Sequence, residues 1–418
     1  MPEDLKKAYR TIMEDHFPEK MRIAFGEGDQ EQTLFYEKVS WTVDGVRKGL
    51  RYGENPGQEA VLFRLVNGNL SLGETELIQA GRWLVSDLEL LQSGKHPGKT
   101  NLTDADNALG ILRYFPGRPC VAIMKHNNPS GVAIGSTPAE AYVKADRADR
   151  VAAFGGAIAF NCTVDKETAV EIGKRYAEVV VAPDYGEGAL DVLAKRANLR
   201  VLRIGRIDKL HEFVAQRVVD FKSLIDGGIV AQWSFQPQAR RPEDFKLAET
   251  EHKGQVYKIK RTPTKAEYED MVFGWLVESG ITSNSVIYVK GLVTVGIGTG
   301  EQDRVGVAQI ARDKAFRKLA DRICFERLGI PFNELFATNP DRAAQIEKDV
   351  AELNGGLQGS IMISDAFFPF RDGLDVGLCE GVSAVVQPGG SLNDYKAIEA
   401  CNEAGATMVF TGQRSFKH

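Results

Sequence analysis

Lys125 and His126 stand side by side where the apolar run Val121 to Met124 ends and a turn-forming series, Asn127, Asn128, Pro129, Ser130 and Gly131, begins. At the end of a buried strand, an ammonium can stabilise developing negative charge and an imidazole can take up and release a proton. A surface lysine beside a capping histidine would be spelled the same way. Arg51, in LRYGENPG, presents a fork of donors suited to phosphate, and Tyr52 adds a hydroxyl. Arginine and tyrosine beside a turn are also commonly structural. Asn284 precedes one apolar run and Arg304 follows the next, so both could face one crevice. In SDAFFPFRDG, Asp365, Phe367, Pro369, Arg371 and Asp372 crowd a turn with a mixture of rings and charges more typical of a cleft wall than of a dry interior. Phe154-Gly155-Gly156 would let a flat ligand lie against ring and backbone, although a plain loop reads alike. The turn QPGGS offers backbone amides at Gly389 and Gly390. In the final GQRSFKH, an extended chain puts Arg414, Phe416 and His418 on one face.

Alternating strands and helices must position these groups. Apolar spacing predicts a helix over 4–17, and a second over 101–114 that starts at Thr103 or Asp104 and carries Asn107 on its first turns. Thr137-Pro138 caps a helix to about Asp146. Strands are expected at Ala157 to Phe160, Val179 to Ala182, Val201 to Ile204 and Ile229 to Gln232. The polar stretch from Gln236 to Thr264 reads as an internal boundary. Beyond it come a helix from Lys265, a hairpin of Val286 to Val289 with Val293 to Ile297, a helix from about Val305, and strands at Ile361 to Ile363 and in VSAVV. This alternation is the mark of an α/β fold. GIGTG, lacking GKS and a full GxGxxG, is a weak nucleotide signal and reads equally as a packing turn.

Composition narrows the function classes. The 418 residues, 43% hydrophobic and 26% charged, suffice for two or three domains, and no apolar run approaches the ~20 residues needed to span a bilayer. With no leader-like segment, a cytoplasmic protein is expected. The net charge of −5 argues against general nucleic-acid binding, so an anionic ligand needs a local basic cluster. Five scattered cysteines without CxxC or a spaced histidine argue against disulfides and zinc.

Taken together and in this order, LRYGENP, KHNNPSG, DRVAAFGG, SNSVIYVK with GIGTGEQDRV, SDAFFPFRDG, QPGGS and GQRSFKH resemble the formyltransferase half of the AICAR transformylase/IMP cyclohydrolase family, from about residue 47 to the end. The resemblance implies two tandem cytidine-deaminase-like α/β/α units without catalytic zinc. The expected divisions are a helical extension (1–45), a first subdomain (46–235), a linker (236–265) and a second subdomain (266–418). It implies transfer of the formyl group of 10-formyltetrahydrofolate to the 5-amino group of AICAR ribotide, in a homodimer with sites at the subunit interface and with a structural potassium ion. It implies that Arg51, Lys125 and Arg414 hold the 5′-phosphate with Tyr52. Asn107, Phe154, Gly155, Asn284, Arg304 and Phe367 then surround the base, and Lys125 and His126 form the acid/base pair. Pro369, Asp372, Gly389, Gly390 and Ser391 hold the folate, and His418 completes the site. The family's cyclohydrolase domain is not expected in this chain, so a separate protein would close the product to IMP. A homologue that binds AICAR or folate without turnover is the alternative reading; retention of Lys125 with His126 favours the enzyme.

Overall fold

Caps written into the sequence set where the helices begin. Thr137 accepts the Glu140 amide ahead of Pro138, Thr264 and Glu267 cap each other's backbone, and Asp303 accepts the Gly306 amide. The computed structural model describes residues 11, 15–73, 75–76 and 79–418; apart from Thr11 and residues 15–17, the helix expected over 4–17 lies outside them. It is a mixed α/β structure whose strands pair in both parallel and antiparallel fashion. By contacts it divides into two units, Met1–Cys120 with Gly155–Gln236, and Val121–Phe154 with Pro237–His418.

In the first unit the Ala157–Phe160, Val179–Ala182 and Arg200–Arg203 strands run parallel, and Glu89–Gln92 pairs antiparallel with the last. The first two are buried throughout, which is why they read as unbroken apolar runs. The Lys99–Leu112 helix begins four residues before Thr103, where the Gly98 amide donates to Asn101 Oδ1 at 3.1 Å. Asn107 therefore sits in the middle of the helix rather than on its first turns. Ile229–Trp233 does not extend the sheet; it pairs with Val219–Ser223 in an exposed two-stranded ribbon.

The second unit is built on a sheet whose strands, in spatial order, are Lys246–Leu247, Thr407–Phe410, Ala384–Gln387, Ile361–Ser364, Val286–Val289 and Thr294–Gly298. The expected hairpin is present, antiparallel from Val286 against Gly298. The polar stretch read as a boundary contributes Lys246–Leu247 to this sheet and adds a Glu249–His252/Gln255–Lys258 hairpin, so it is structured. A two-residue strand at a sheet edge carries too few apolar residues to show in the sequence.

The same unit holds Cys120–Lys125, apart from Cys120 itself, and Asn128–Ile134, which pair as a hairpin. Here the expectation of a turn through Gly131 needs correction: only His126 and Asn127 turn, and Asn128 onward is strand. Gly131 lets the Pro138–Ala148 helix lie directly on that strand, since a Cβ there would fall 2.1 Å from the Ala145 carbonyl oxygen. Gly296 and Gly298 serve the long Arg304–Leu328 helix likewise, with Ala311 and Val307 oxygens 2.3 Å from where a Cβ would stand. GIGTG is thus the packing turn.

Candidate functional site

Two residues join the strands of the first hairpin, and both take positive φ, +55° at His126 and +60° at Asn127. That pattern is demanded by the two-residue turns whose twist matches paired strands, and histidine and asparagine tolerate it better than most side chains. The turn leaves His126 exposed at the tip, while Lys125, the last residue of its strand, donates from Nζ to the Phe154 carbonyl at 2.9 Å. Asn128 fixes the other side: its Oδ1 accepts from the Thr282 amide at 2.9 Å and from Thr299 Oγ1 at 3.2 Å. Lys125 and His126 open onto a cavity of about 230 Å³, which Ser130, Asp149, Thr299, Lys314 and Lys318 also line. Lys318 pairs with Asp149 at 2.8 Å. Burial pushes the Lys314 ammonium below its ordinary value, against the pull of Asp149 and helped by Lys318. Neither lysine stood out in the sequence, because both belong to an ordinary-looking charged helix and only its packing turns them inward.

Arg304 and Asn284 do meet. Arg304, buried at the start of the long helix, forms an ion pair with fully buried Asp365 and donates to the Ser285 carbonyl at 3.0 Å, Ser364 Oγ at 3.1 Å and Asn284 Oδ1 at 3.1 Å. Its guanidinium is therefore held by protein, and it presents Asn284 rather than an open fork. Close to it lies Glu278, the last residue of the Lys265–Glu278 helix, with no motif around it to mark it in the sequence. Its carboxyl takes the hydroxyls of Ser285 and Ser415. Burial, with the negative charge of Asp365 adding to it, holds this carboxyl well above the usual range.

Glu278 thereby anchors the C-terminal tail, together with the Ser415 amide donating to the Asp365 carbonyl at 2.9 Å and the Ser283 amide donating to the Lys417 carbonyl at 2.9 Å. The odd-numbered tail residues are thus held inward, and the even ones stack outward: Arg414 lies over the Phe416 ring at 4.2 Å, and Phe416 meets His418 edge-on at 5.8 Å. Phe367, Pro369 and Asp372 are exposed, and Asn393 Nδ2 ties their turn to the PGGS turn by a 2.8 Å bond to the Pro369 carbonyl. The amides expected to be open there are not all so: Gly390 and Ser391 donate to Asp394 Oδ2 at 2.7 and 3.0 Å. Asp394, buried, keeps its other oxygen without a partner, and burial raises its carboxyl despite the two amides.

In the first unit, Arg51 is only 5% exposed and donates from Nη2 to the Tyr52 hydroxyl at 2.8 Å, stacking on that ring, while its Nε and Nη1 have no partner. Gly155 takes positive φ and its amide donates to the Tyr176 carbonyl at 2.9 Å. Asn107 is half-buried. No disulfide joins any two of the five cysteines, and burial, then the charge of Asp165, pushes the Cys162 thiol up to about 11, away from thiolate chemistry. Among the described residues no three His, Cys, Asp or Glu side chains converge as a metal site would require.

An α/β scaffold with a lysine-histidine hairpin tip, a buried arginine-carboxylate network under a stitched tail and a half-satisfied buried arginine is the setting for a ligand-handling protein rather than a structural one. The comparisons agree. The family model of the AICARFT/IMPCHase bienzyme matches residues 6–314. Over 369 residues the chain is 38% identical to the bifunctional purine biosynthesis protein PurH of Aquifex aeolicus, covering 88% of this chain and 59% of that protein. It is 34% identical over 409 residues to the PurH of Persephonella marina, 97% of this chain and 62% of that one. The PurH of Acetivibrio thermocellus is 33% identical over 400 residues, 95% of this chain and 63% of the relative. The chain belongs to the AICARFT/IMPCHase family, and spans between 59% and 63% of the length of these relatives.

Proposed function

We propose that this chain is an AICAR formyltransferase of purine biosynthesis, passing the formyl group of 10-formyltetrahydrofolate to the 5-amino group of AICAR ribotide. The single observation that supports it most is the hairpin tip: a two-residue turn presents His126 next to Lys125, in a chain that belongs to the AICARFT/IMPCHase family. The AICAR amine is a weak nucleophile because its lone pair is drawn into the imidazole ring. As it attacks the formyl carbon, His126 accepts the amine proton, directly or through the neighbouring carboxamide. The Lys125 ammonium stabilises the tetrahedral oxyanion; the C–N10 bond then breaks and the folate nitrogen takes a proton from Lys125. Each group is asked for roughly 10²–10⁴-fold, and holding two substrates together supplies the remainder.

In this reading Arg51, Tyr52 and Arg414 take the phosphate, and Lys125, which the resemblance also placed there, is kept at the formyl carbon, because the ribose holds the phosphate away from the reacting amine. Asn107, Phe154, Gly155, Asn284, Arg304, Phe367 and His418 surround the base, with Arg304 acting by presenting Asn284. Pro369, Asp372 and the 389–391 turn take the folate. The reading includes two cytidine-deaminase-like subdomains divided near 236–265, a cytoplasmic homodimer with shared sites, and a structural potassium ion. Incubation with AICAR ribotide and 10-formyltetrahydrofolate, following tetrahydrofolate release and formyl-AICAR by mass, tests it. Turnover is expected; tight binding of both ligands without tetrahydrofolate would overturn the enzyme in favour of a binding homologue. Whether the formylated product then closes to IMP without a second protein is read in the same experiment.

A further inference from the structure

Two guanidiniums in the first unit are buried without a matching set of anions. Arg200, at the head of a parallel strand, is 2% exposed, and its Nε has no partner. Its backbone is fixed by its N–H donating to the Glu178 carbonyl at 3.0 Å and by its pairing with Val179. The carboxylate nearest to it, Glu178, stands 3.9 Å from Nη1, beyond hydrogen-bond reach, has a side chain 43% exposed, and is already engaged by Asn101 Nδ2 at 3.2 Å. Asn101 in turn receives the Gly98 amide, and a Cβ on Gly98 would lie 3.8 Å from Arg51 Nη2. One run of contacts therefore joins Arg51 to Arg200 around the first turn of the Lys99–Leu112 helix. Arg51 brings two unpartnered N–H-bearing nitrogens, Nε and Nη1, and Arg200 a third.

A guanidinium cannot shed its proton to escape burial, and an uncompensated buried charge costs several kcal/mol. Burial and the nearby charge of Arg51 both weaken the hold of Arg200 on its proton, with Glu178 opposing. Two cations and one partly exposed carboxylate leave this neighbourhood with an excess of positive charge.

We propose that Arg200 is a further cation of the anion site that Arg51 begins, and that the two guanidiniums together receive a phosphate monoester dianion. That the dianion is the 5′-phosphate of AICAR ribotide rests on the function proposed above; the anion site itself does not. Both guanidiniums would face the dianion while Glu178, 43% exposed, keeps its charge solvated, and Arg51 Nε and Nη1 with Arg200 Nε are left to donate to the anion's oxygens.

The experiment compares wild type with Arg200→Gln and Arg200→Lys by thermal melting with and without inorganic phosphate, and by calorimetric binding of AICAR ribotide against its riboside. Phosphate is expected to raise the wild-type Tm. Arg200→Gln should melt at or above wild type without anion, having lost an unpaired buried charge, and should show no rise with phosphate; Arg200→Lys should retain part of it. Ribotide binding should weaken roughly 10- to 100-fold in Arg200→Gln while riboside binding holds. No phosphate response in wild type overturns the site. So does an Arg200→Gln protein that melts lower yet keeps the full phosphate response, because Arg200 would then be the structural partner of Glu178. A phosphate response lost in Arg200→Gln, with wild type binding ribotide no better than riboside, upholds the anion site and removes the purine reading instead.

Discussion

His126 and Lys125 owe their relation to the backbone, since one side chain leaves from the last strand residue and the other from the first residue of the turn. Neither is needed to fill the core. Lys125→Ala and His126→Ala are therefore expected to leave the free energy of unfolding within about 1 kcal/mol of wild type while lowering kcat at least roughly 100-fold; near-wild-type kcat in either variant would cancel that residue's role. Glu278 behaves in the opposite way. Its carboxyl is raised in the fold, so it binds a proton there that the unfolded chain has released. Its contribution is whole below the ordinary value of 4.5 and drains away as pH climbs from there toward the folded value. Glu278→Gln keeps both serine contacts without a charge to bury. Measured from about pH 5 to about pH 9, its Tm should rise steadily relative to wild type; a gap independent of pH would mean that Glu278 is ionised in the fold. The chemistry-bearing pair was legible because a strand and its turn are adjacent in sequence. Glu278, Lys314 and Lys318 were not, because a helical acid or base shows its burial only through what packs on it.

Elements that touch backbone to backbone leave a sharper trace in glycine than in any apolar pattern. The hairpin that carries Lys125 and His126 is backed by the Pro138–Ala148 helix through Gly131, where a methyl group would meet the Ala145 carbonyl at 2.1 Å. Gly131→Ala must push helix from strand, with an expected loss of roughly 1–3 kcal/mol in denaturant unfolding and a parallel loss of activity. The wild-type midpoint in this variant would show that the helix can yield. The C-terminal tail makes a second such test. Deleting 414–418 removes the Ser415 bonds to Glu278 and Asp365 and the Lys417 bond to Ser283, so both Tm and activity should fall. Arg414→Ala and His418→Ala, which leave those stitches intact, should lower activity alone. Alternation predicted which tail residues face together, and the 414/416/418 stack follows it. What escaped the sequence was the second strand of the hairpin, because Asn128, Pro129 and Gly131 spell a turn, and the edge strand at Lys246–Leu247, whose short polar text resembles any loop. In both cases the pairing partner decides, and it lies elsewhere in the chain.

For the molecule as a whole, a net charge of −5 would repel the proposed substrates, one phosphorylated and one carboxylated, so their binding would depend on basic groups concentrated where they are needed. Arg51 with Arg200 in one unit, and Lys125, Lys314 and Lys318 around one cavity in the other, are such concentrations. The second unit also leaves large apolar side chains in solvent. Phe370 and Leu392, the latter 91% exposed, flank the two turns assigned to folate, and Phe154 is exposed next to the carbonyl that holds Lys125. Rings and leucines left in water at a ligand site are covered by the ligand, by another chain, or by both. If the proposed homodimer completes each site with groups from both subunits, activity per chain is not constant on dilution. Once the chain concentration falls below the dimer dissociation constant, specific activity should fall with the dimer fraction measured by sedimentation, and should recover when the protein is concentrated again. Saturating AICAR ribotide should shift the whole curve to lower concentration, because a ligand bound across the interface favours the dimer by mass action. Specific activity that stays level while sedimentation shows the dimer dissociating would mean that one chain carries a complete site, and the exposed rings would then belong to the folate alone.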